Sequence, residues 1–364
     1  AIGYRALSAN TTAHYNVAVG KDTLRLNTTG TNNTAIGFGV MDANTTGSNN
    51  TALGYAALLN NTVNGGNTAI GDAALTTSNG GYYNTAMGYQ AADELTTAIQ
   101  CVIVGRAAGH SVTGGHYSTF VGDMAGAEIT TGTNNTALGR SALENATTAS
   151  NSTTLGYLAG YAITTGSNNI CVGSNCGDLI TTGYQNCLVG HDSGSSTNNL
   201  TTGVGNTLIG NYSHPSAGDV TYEGVFGYNM TGKGSETFVC RGTPYNGANS
   251  STWSTTSDIR IKKNVINATL GLDALNEIQV RQFEFRENDE IEDELEKDLP
   301  TGKVVTGVIA QEIENVIPET VTVRDNGLLT VTSDAVLWTA VKAIQELSDK
   351  VDELTEKLNN CNCE

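Results

Sequence analysis

The chain of 364 residues is short of basic side chains. It has 18 Lys and Arg against 36 Asp and Glu, which gives a formal net charge of −18 at pH 7. Phosphate backbones and anionic membrane surfaces repel such a protein, so neither nucleic acid nor an anionic membrane is an expected partner. No stretch approaches the roughly 20 apolar residues of a membrane-spanning helix, and no signal peptide is visible. Membrane insertion is therefore not expected.

Paired cysteines and clustered histidines are also missing. The seven cysteines form no CxxC pair, so neither a zinc site nor a disulfide framework is favoured. We interpret them as reduced thiols that act as small hydrophobic residues. The five histidines are spread over the repeat described next and form no ligand cluster. No metal and no cofactor is expected.

Most of the chain is an internal repeat with sequences such as NNTAIG and NNTALG. Its central glycine, here called the repeat glycine, recurs every 17 residues from Gly3 to Gly190, and then at Gly210 and Gly227 after one step of 20. Seventeen residues are too few for a helical repeat but suit one coil of a β-solenoid. The sequence therefore predicts a mainly β fold with a solenoid shaft of 17-residue repeats. About 14 coils at about 4.8 Å each would make a rod of roughly 65 Å.

The repeat also predicts how the coils pack. An apolar residue precedes every repeat glycine, and we expect this column to form the core. A second apolar column is expected outside, covered by trimerisation; it comprises Leu7, Leu24, Met41, Leu58, Leu75 and Leu143. Asparagine recurs four places before the glycine and predicts a ladder of stacked amides. The ladder positions are Asn16, Asn33, Asn50, Asn67, Asn84, Asn135, Asn169, Asn186 and Asn206.

Several Asn-x-Thr sequons lie in the shaft, at Asn10, Asn27, Asn44 and Asn60. They match glycan acceptor sites, but turn chemistry explains the same residues. We interpret them as turns.

Composition changes abruptly near Ser257. Only 7 of the 18 basic residues and 13 of the 36 acidic residues precede it, whereas only 4 of the 43 glycines follow residue 256. We predict a shaft over 1–236, a tip or linker over 237–256, and a second domain over 257–364. The chain begins within a repeat, so we expect it to be the C-terminal part of a longer protein.

The second domain has the pattern of a small α+β unit. IRIKKNVI is expected to be a short strand, GLDALNEI a helix, VRQFEFR a strand, KVVTGVIAQEIENVIPETV a strand followed by a helix, and LLTVTS a strand. Residues 337–361 predict a coiled coil, because apolar residues recur at spacings of three and four. The seam is Leu337, Ala340, Ile344, Leu347, Val351, Leu354, Leu358 and Cys361.

These motifs carry two resemblances. The repeat over 1–230 resembles the head repeats of trimeric autotransporter adhesins and related repeats of viral fibres. SDIRIKKNV, GVIAQEIENVIPETV and AVLWTAVKAIQEL resemble the self-cleaving C-terminal intramolecular chaperones of viral tail fibres and tailspikes, the endosialidase-type chaperone peptidases. That family implies a homotrimer, a domain that helps the preceding fibre to fold, and release through a Ser–Lys dyad.

The resemblance assigns roles to the residues at the seam between the domains. Ser257 would be the nucleophile, Lys262 its base, and Ser257–Asp258 the scissile bond, with Thr256–Ser257 left open. Arg260 and Asn264 would support the motif. A neutral lysine can take a proton from a serine hydroxyl. On a regular strand, however, side chains five residues apart point to opposite faces, so the dyad requires a turn or a partner chain.

The favoured function is a viral tail fibre or receptor-binding shaft, located on the virion tail or an extracellular fibre and assembled in the host cytoplasm. Its expected partners are a host surface receptor or glycan and other tail proteins. At most single-turnover autoproteolysis is expected. A glycan-degrading tailspike, with its catalytic domain upstream, is one alternative. A bacterial trimeric surface adhesin is the other.

Overall fold

The computed structural model describes residues 1–195, 198–240, 262–291, 301–323 and 327–361. They belong to two compact units, divided between residues 244 and 245.

The first unit is a β-solenoid, as predicted. Fourteen short strands form one parallel sheet with one strand per coil. Neighbouring strands pair with an offset of 17 residues, as Thr34 does with Thr51. The strands are β1 Val17–Val19, β2 Thr34–Ile36, β3 Thr51–Leu53, β4 Thr68–Ile70, β5 Thr85–Met87, β6 Val102–Val104, β7 Thr119–Val121, β8 Thr136–Leu138, β9 Thr153–Leu155, β10 Ile170–Val172, β11 Cys187–Val189, β12 Thr207–Ile209, β14 Gly224–Phe226 and β16 Phe238–Cys240.

The last coils depart from the regular step. The offset is 20 residues between Cys187 and Thr207, and 14 between Gly224 and Phe238. A second pair of parallel strands forms here, β13 Ser213–His214 with β15 Met230–Thr231. Strand β16 lies within the segment predicted as a tip, and residues 241–256 of that segment lie outside the described residues.

The repeat glycine is required by a backbone contact between coils. A Cβ atom on Gly71 would lie 2.2 Å from the carbonyl oxygen of Gly88, and the φ angle of Gly71 is +138°. No L side chain tolerates both the contact and the dihedral angle. Close backbone approach at this bend is therefore the reason why glycine recurs in each coil.

The two predicted apolar columns are exchanged in the structure. The residue before the repeat glycine was expected in the core, but Ile36 and Leu53 are 38% and 45% exposed. The middle residue of each strand is the one that points inward, because side chains alternate along a strand. Leu24 and Met41, expected outside, are completely buried. In a strand of three residues, the middle side chain points inward and the two flanking side chains point outward. The prediction did not take this alternation into account.

The interior of the coils is filled in two complementary ways. In five coils the strand centre is alanine and the fourth residue after the repeat glycine is large: the pairs are Ala18 with Leu24, Ala35 with Met41, Ala52 with Leu58, Ala69 with Leu75 and Ala137 with Leu143. In five others the strand centre is larger and that residue is glycine: the pairs are Ile103 with Gly109, Phe120 with Gly126, Thr154 with Gly160, Cys171 with Gly177 and Leu188 with Gly194. A Cβ on Gly126 would lie 2.8 Å from the ring of Phe120. Side-chain volume is thus balanced between the two positions in these ten coils. The exceptions pair Ala86 with Ala92, Leu208 with His214 and Val225 with Thr231.

The large residues at this fourth position adopt a left-handed backbone. Leu24, Leu58 and Leu75 have φ angles of 50 to 52°. Such a conformation costs a non-glycine residue about 1–2 kcal/mol. Burial of a leucine side chain contributes about 1.5–3 kcal/mol, which offsets that cost.

The predicted asparagine ladder is confirmed, but it binds backbone more than neighbouring amides. The Asn33 Oδ1 atom accepts the Asn50 backbone N–H at 3.0 Å, and the Asn33 Nδ2 atom donates to the Gly47 carbonyl at 2.8 Å. At the last position Glu223 replaces asparagine. Its buried carboxylate accepts the backbone N–H groups of Ser216 at 2.9 Å and Gly234 at 2.8 Å.

The four sequon asparagines differ in burial. Asn27 and Asn44 are completely buried, and their amide nitrogens donate to the carbonyls of Gly30 and Gly47 at 3.0 Å. A folded shaft therefore cannot accept glycans at these two residues, in agreement with the turn interpretation. Asn10 and Asn60 are exposed.

The second unit is small and mixes helices with short strands. Its elements are α1 Leu272–Glu277, β17 Arg281–Phe283, a 3-10 helix Asn288–Glu290, β18 Val305–Gly307, α2 Ala310–Ile313, a 3-10 helix Pro318–Thr320, β19 Val321–Val323, β20 Leu329–Val331 and α3 Ser333–Cys361. Strands β17 and β18 are antiparallel, as are β19 and β20. The N-terminal half of α3 packs against α1 and the second 3-10 helix. Ile313, Ile317 and Ala343 are buried.

One predicted strand is not formed where it can be checked. IRIKKNVI was expected to be extended, but Lys262–Ile266 contains no strand, and residues 259–261 lie outside the described residues. Asn264 has a left-handed φ of 56°, which interrupts an extended chain. Val265 and Ile266 are 66% and 84% exposed, so no packing holds the segment as a strand. The other predicted elements are present, although shorter.

The balance of side-chain volume in the shaft interior can be tested by substitution. Phe120→Ala alone should destabilise the protein by about 3–5 kcal/mol through the cavity it leaves. Ile129, seven residues after the repeat glycine, is also buried. The triple change Phe120→Ala, Gly126→Leu and Ile129→Ala gives this coil the same residues as the next one at three interior positions, Ala137, Leu143 and Ala146, so most of that loss should be recovered. Chemical denaturation of the three variants checks it, with Gly126→Leu as the overpacked control. A triple variant no more stable than Phe120→Ala would contradict the balance.

Candidate cleavage junction and oligomerisation surfaces

The predicted cleavage junction is only partly covered by the structure. Lys262 and Asn264 are described and exposed, whereas Ser257, Asp258 and Arg260 lie outside the described residues. The left-handed backbone of Asn264 places a bend two residues after Lys262. The orientation of Ser257 relative to Lys262 lies outside what the structure describes. The distance between their side chains stays a prediction.

A carboxylate of the long helix α3 holds the start of α1. The Glu346 Oε2 atom accepts the backbone N–H of Leu272 at 2.8 Å. This N–H belongs to the first turn of α1, where backbone donors lack partners within the helix. The Lys342 ammonium lies 3.7 Å from the Glu346 Oε1 atom, one helical turn away. Sequence analysis missed Glu346, because a glutamate next to a heptad seam has the pattern of an ordinary surface residue.

A bidentate ion pair links β17 to α2. The Arg281 guanidinium donates to both carboxylate oxygens of Glu312, at 3.0 and 2.9 Å. These bonds lower the pKa of Glu312 below its usual value and raise the pKa of Arg281. A depressed carboxylate pKa contributes stability that is present near neutral pH and is lost as pH falls through the folded-state value. Both side chains are solvent-exposed, so the contribution is screened.

The predicted coiled-coil residues form one exposed stripe on α3. Leu347 and Val351 are 50% and 53% exposed, and Cys361 ends the helix. The stripe also contains Leu337, Ile344, Leu354 and Leu358, all exposed. Thr339 and Ala343 lie on another face and are buried against the domain. The helix thus has one face packed within its own chain and one apolar face open. Among the described residues, no helix combines the length and hydrophobicity needed to cross a bilayer.

The sheet of the solenoid also has an apolar outer face. The outward column of residues before the repeat glycines runs along the shaft beside exposed aromatic residues that follow the glycines. Phe38 and Tyr55 stack in adjacent coils, with ring centroids 5.4 Å apart. Farther along, Arg106 and Arg140 flank Asp123, with N–O distances of 2.8 and 3.8 Å. This face, not the leucine column, is the apolar surface that the first unit leaves exposed, and its covering by trimerisation stays a prediction.

The cysteines of the shaft are thiols. Cys101, Cys171 and Cys176 are buried, and no disulfide joins the described cysteines. Burial raises the pKa of Cys101, while the neighbouring Cys176 thiol and burial raise that of Cys171. A raised pKa keeps a thiol protonated and unreactive. This agrees with their interpretation as small hydrophobic residues.

The family of the second unit follows from one comparison. Residues 257–322 match the protein-family model described as chaperone of endosialidase. The chain carries a chaperone-of-endosialidase domain. The match confirms the resemblance read from the motifs, and it begins at Ser257, the predicted junction residue. It ends before α3, so the third motif lies beyond it. No curated protein and no solved structure matches the chain.

The capping role of Glu346 in the chaperone domain can be tested directly. Glu346→Ala should free the Leu272 N–H and destabilise α1 by about 1 kcal/mol, or about fivefold in local opening. Amide hydrogen exchange of residues 272–277 in the intact protein measures this. Glu346→Gln keeps an acceptor oxygen and should be milder, and Gln345→Ala is the exposed neighbouring control. Unchanged α1 exchange in Glu346→Ala would exclude the role.

Proposed function

We propose that the chain is the shaft of a trimeric viral-type tail fibre or receptor-binding protein, assembled by its C-terminal chaperone domain. The observation that carries the proposal is a chaperone-of-endosialidase domain placed directly after a β-solenoid, with the family match starting at the predicted cleavage residue. A host receptor or glycan and other tail proteins are the proposed partners.

Trimerisation is supported by two unpartnered apolar surfaces in the single chain. The heptad stripe of α3 requires partner helices, since a seam residue gains little when it faces water. The outer column of the solenoid has the same need, because its apolar residues lie on the outside of a narrow coil. Both surfaces run along elongated elements, as expected for chains lying side by side.

The chaperone domain would solve a kinetic problem. Parallel strands joined across chains carry a high entropic cost before the first contacts form. Three chains already held together by α3 start their coils in the same register. This is the proposed reason for joining the two units in one polypeptide.

Self-release would follow at the junction. The Lys262 amine takes the proton of the Ser257 hydroxyl, the Ser257 Oγ atom attacks a carbonyl carbon, the C–N bond breaks, and the new amine takes a proton. Water then hydrolyses the ester. Attack on the carbonyl of its own residue would close a strained β-lactone, so Ser257 would cut a Ser257–Asp258 bond in trans, which requires an assembled oligomer. The Thr256–Ser257 bond could be cut in cis.

Oligomerisation through α3 is expected to fail when a charge enters the seam. In a Ser257→Ala background, which keeps the chains uncut, Leu347→Glu should lower the mass measured by light scattering from three chains towards one. Ser348→Glu adds the same charge at the adjacent exposed position and should leave the mass unchanged. A stable folded monomer of the Ser257→Ala protein itself would contradict the proposed trimer.

Cleavage is expected to require both members of the dyad. Ser257→Ala removes the attacking oxygen and Lys262→Ala removes the base, so each should abolish cutting as fully as the double variant. Lys262→Arg should fail too, because a guanidinium keeps its proton near neutral pH. All should still assemble. Intact mass under denaturing conditions measures cutting, and the first residue of the released fragment identifies the bond. A fragment that is still released in Lys262→Ala would contradict the role of Lys262 as the base.

The chaperone domain should be needed to build the shaft but not to maintain it. Residues 1–256 expressed alone are expected to aggregate, whereas a shaft released after assembly should stay soluble. Sedimentation and circular dichroism of the two preparations make the comparison. A soluble β-rich trimer from 1–256 alone would refute the proposed role.

A further inference from the structure

The solenoid contains a second amide ladder in its interior. Asn27, Asn44 and Asn61 stack seven residues after successive repeat glycines and are completely buried. The Asn44 Nδ2 atom donates to the Asn27 Oδ1 atom at 2.8 Å, and the Asn61 Nδ2 atom donates to the Asn44 Oδ1 atom at 3.0 Å. The Asn27 and Asn44 oxygens are therefore each bonded by the amide of the next coil.

The ladder stops at Ser78, which occupies the same position one coil after Asn61. Serine is too short to reach the amide below it, and it presents a hydroxyl instead of an NH₂ group. Among the described residues, the Asn61 Oδ1 atom and the Ser78 Oγ atom have no hydrogen-bond partner. Both amide atoms of Asn64 are buried without a partner as well. Four such atoms on three neighbouring residues require a common explanation.

Asn64 is directed at this place by its position in the coil. Gly30 and Gly47 occupy the equivalent position in the preceding coils. A Cβ on Gly47 would lie 2.3 Å from the Asn44 Oδ1 atom and 3.0 Å from the Asn61 Nδ2 atom, so side chains here point at the ladder. In the coil where the ladder ends, this position is Asn64. The Asn61 Nδ2 atom also donates to the Asn64 carbonyl at 3.1 Å, which ties the two residues together.

We propose that Asn61, Asn64 and Ser78 enclose an internal water-binding site that terminates the ladder. A water can donate to the Asn61 and Asn64 carbonyl oxygens and accept from the Ser78 hydroxyl or the Asn64 amide. Buried waters in proteins make about three such bonds. The three side chains are uncharged, so a cation held by them would have no counter-charge among them, and a neutral ligand fits better.

A crystal structure of the full-length Ser257→Ala protein at a resolution that shows waters tests the site. We expect a water within hydrogen-bonding distance of the Asn61 Oδ1 and Ser78 Oγ atoms. The proposal is overturned if the Asn64 amide instead turns to bond both atoms directly and no water is present.

The sign of one stability change gives an independent test. Asn64→Leu replaces the amide by an apolar group of similar size. If water satisfies the amide, the leucine expels it and leaves the Asn61 and Ser78 oxygens bare, so the midpoint of thermal unfolding should fall. If the amide has no partner, replacing it removes the cost of burying an unsatisfied polar group, and the midpoint should rise. A rise would contradict the proposal. Asn60→Leu, at the exposed neighbouring residue, is the control.

Discussion

The shaft depends on the contact between each repeat glycine and the glycine of the next coil. A Cβ atom at these glycines, from Gly3 to Gly210, would lie 1.9 to 2.4 Å from that carbonyl oxygen. Such a contact permits only glycine. Once it is fixed, strand pairing and the asparagine ladder fall into register, because each recurs with the same offset. Extra residues are accommodated elsewhere in the coil, as in the step of 20 between β11 and β12.

Freedom in the interior follows from the rigidity of that bend. With the backbone path fixed, each coil must enclose a similar volume, but the volume can come from the strand centre or from the fourth residue after the glycine. Phe120 and Leu143 are two solutions to the same requirement. The chaperone domain is built differently: few of its residues are buried in one chain, and α3 leaves an apolar face open. Its stability is expected to depend on its neighbours in the proposed oligomer.

The sequence predicted the solenoid, its period, the asparagine ladder and the order of elements in the chaperone domain, because each has a strong local pattern. It predicted the apolar columns the wrong way round, since inside and outside are set by the pleat of a three-residue strand and not by hydrophobicity. It predicted a strand at Lys262–Ile266 that does not form, because the left-handed Asn264 depends on context. Glu346 was not predictable, since its partner Leu272 is distant in sequence. Ser257 and its neighbours were identified only by motif, and their geometry stays a prediction.

The far end of the shaft differs from its repeats in a way that matters for solubility. The last strand of a solenoid sheet exposes unpaired backbone N–H and C=O groups. If the last coil were an exact copy of the repeat, another chain with the same repeat could pair with it. Here the ladder ends in Glu223, whose carboxylate is turned back onto the backbone of Ser216 and Gly234. Strands β13 and β15 add a second layer of irregular structure beside it. Another chain could therefore not continue the asparagine ladder past Glu223 through the hydrogen bonds that join the regular coils.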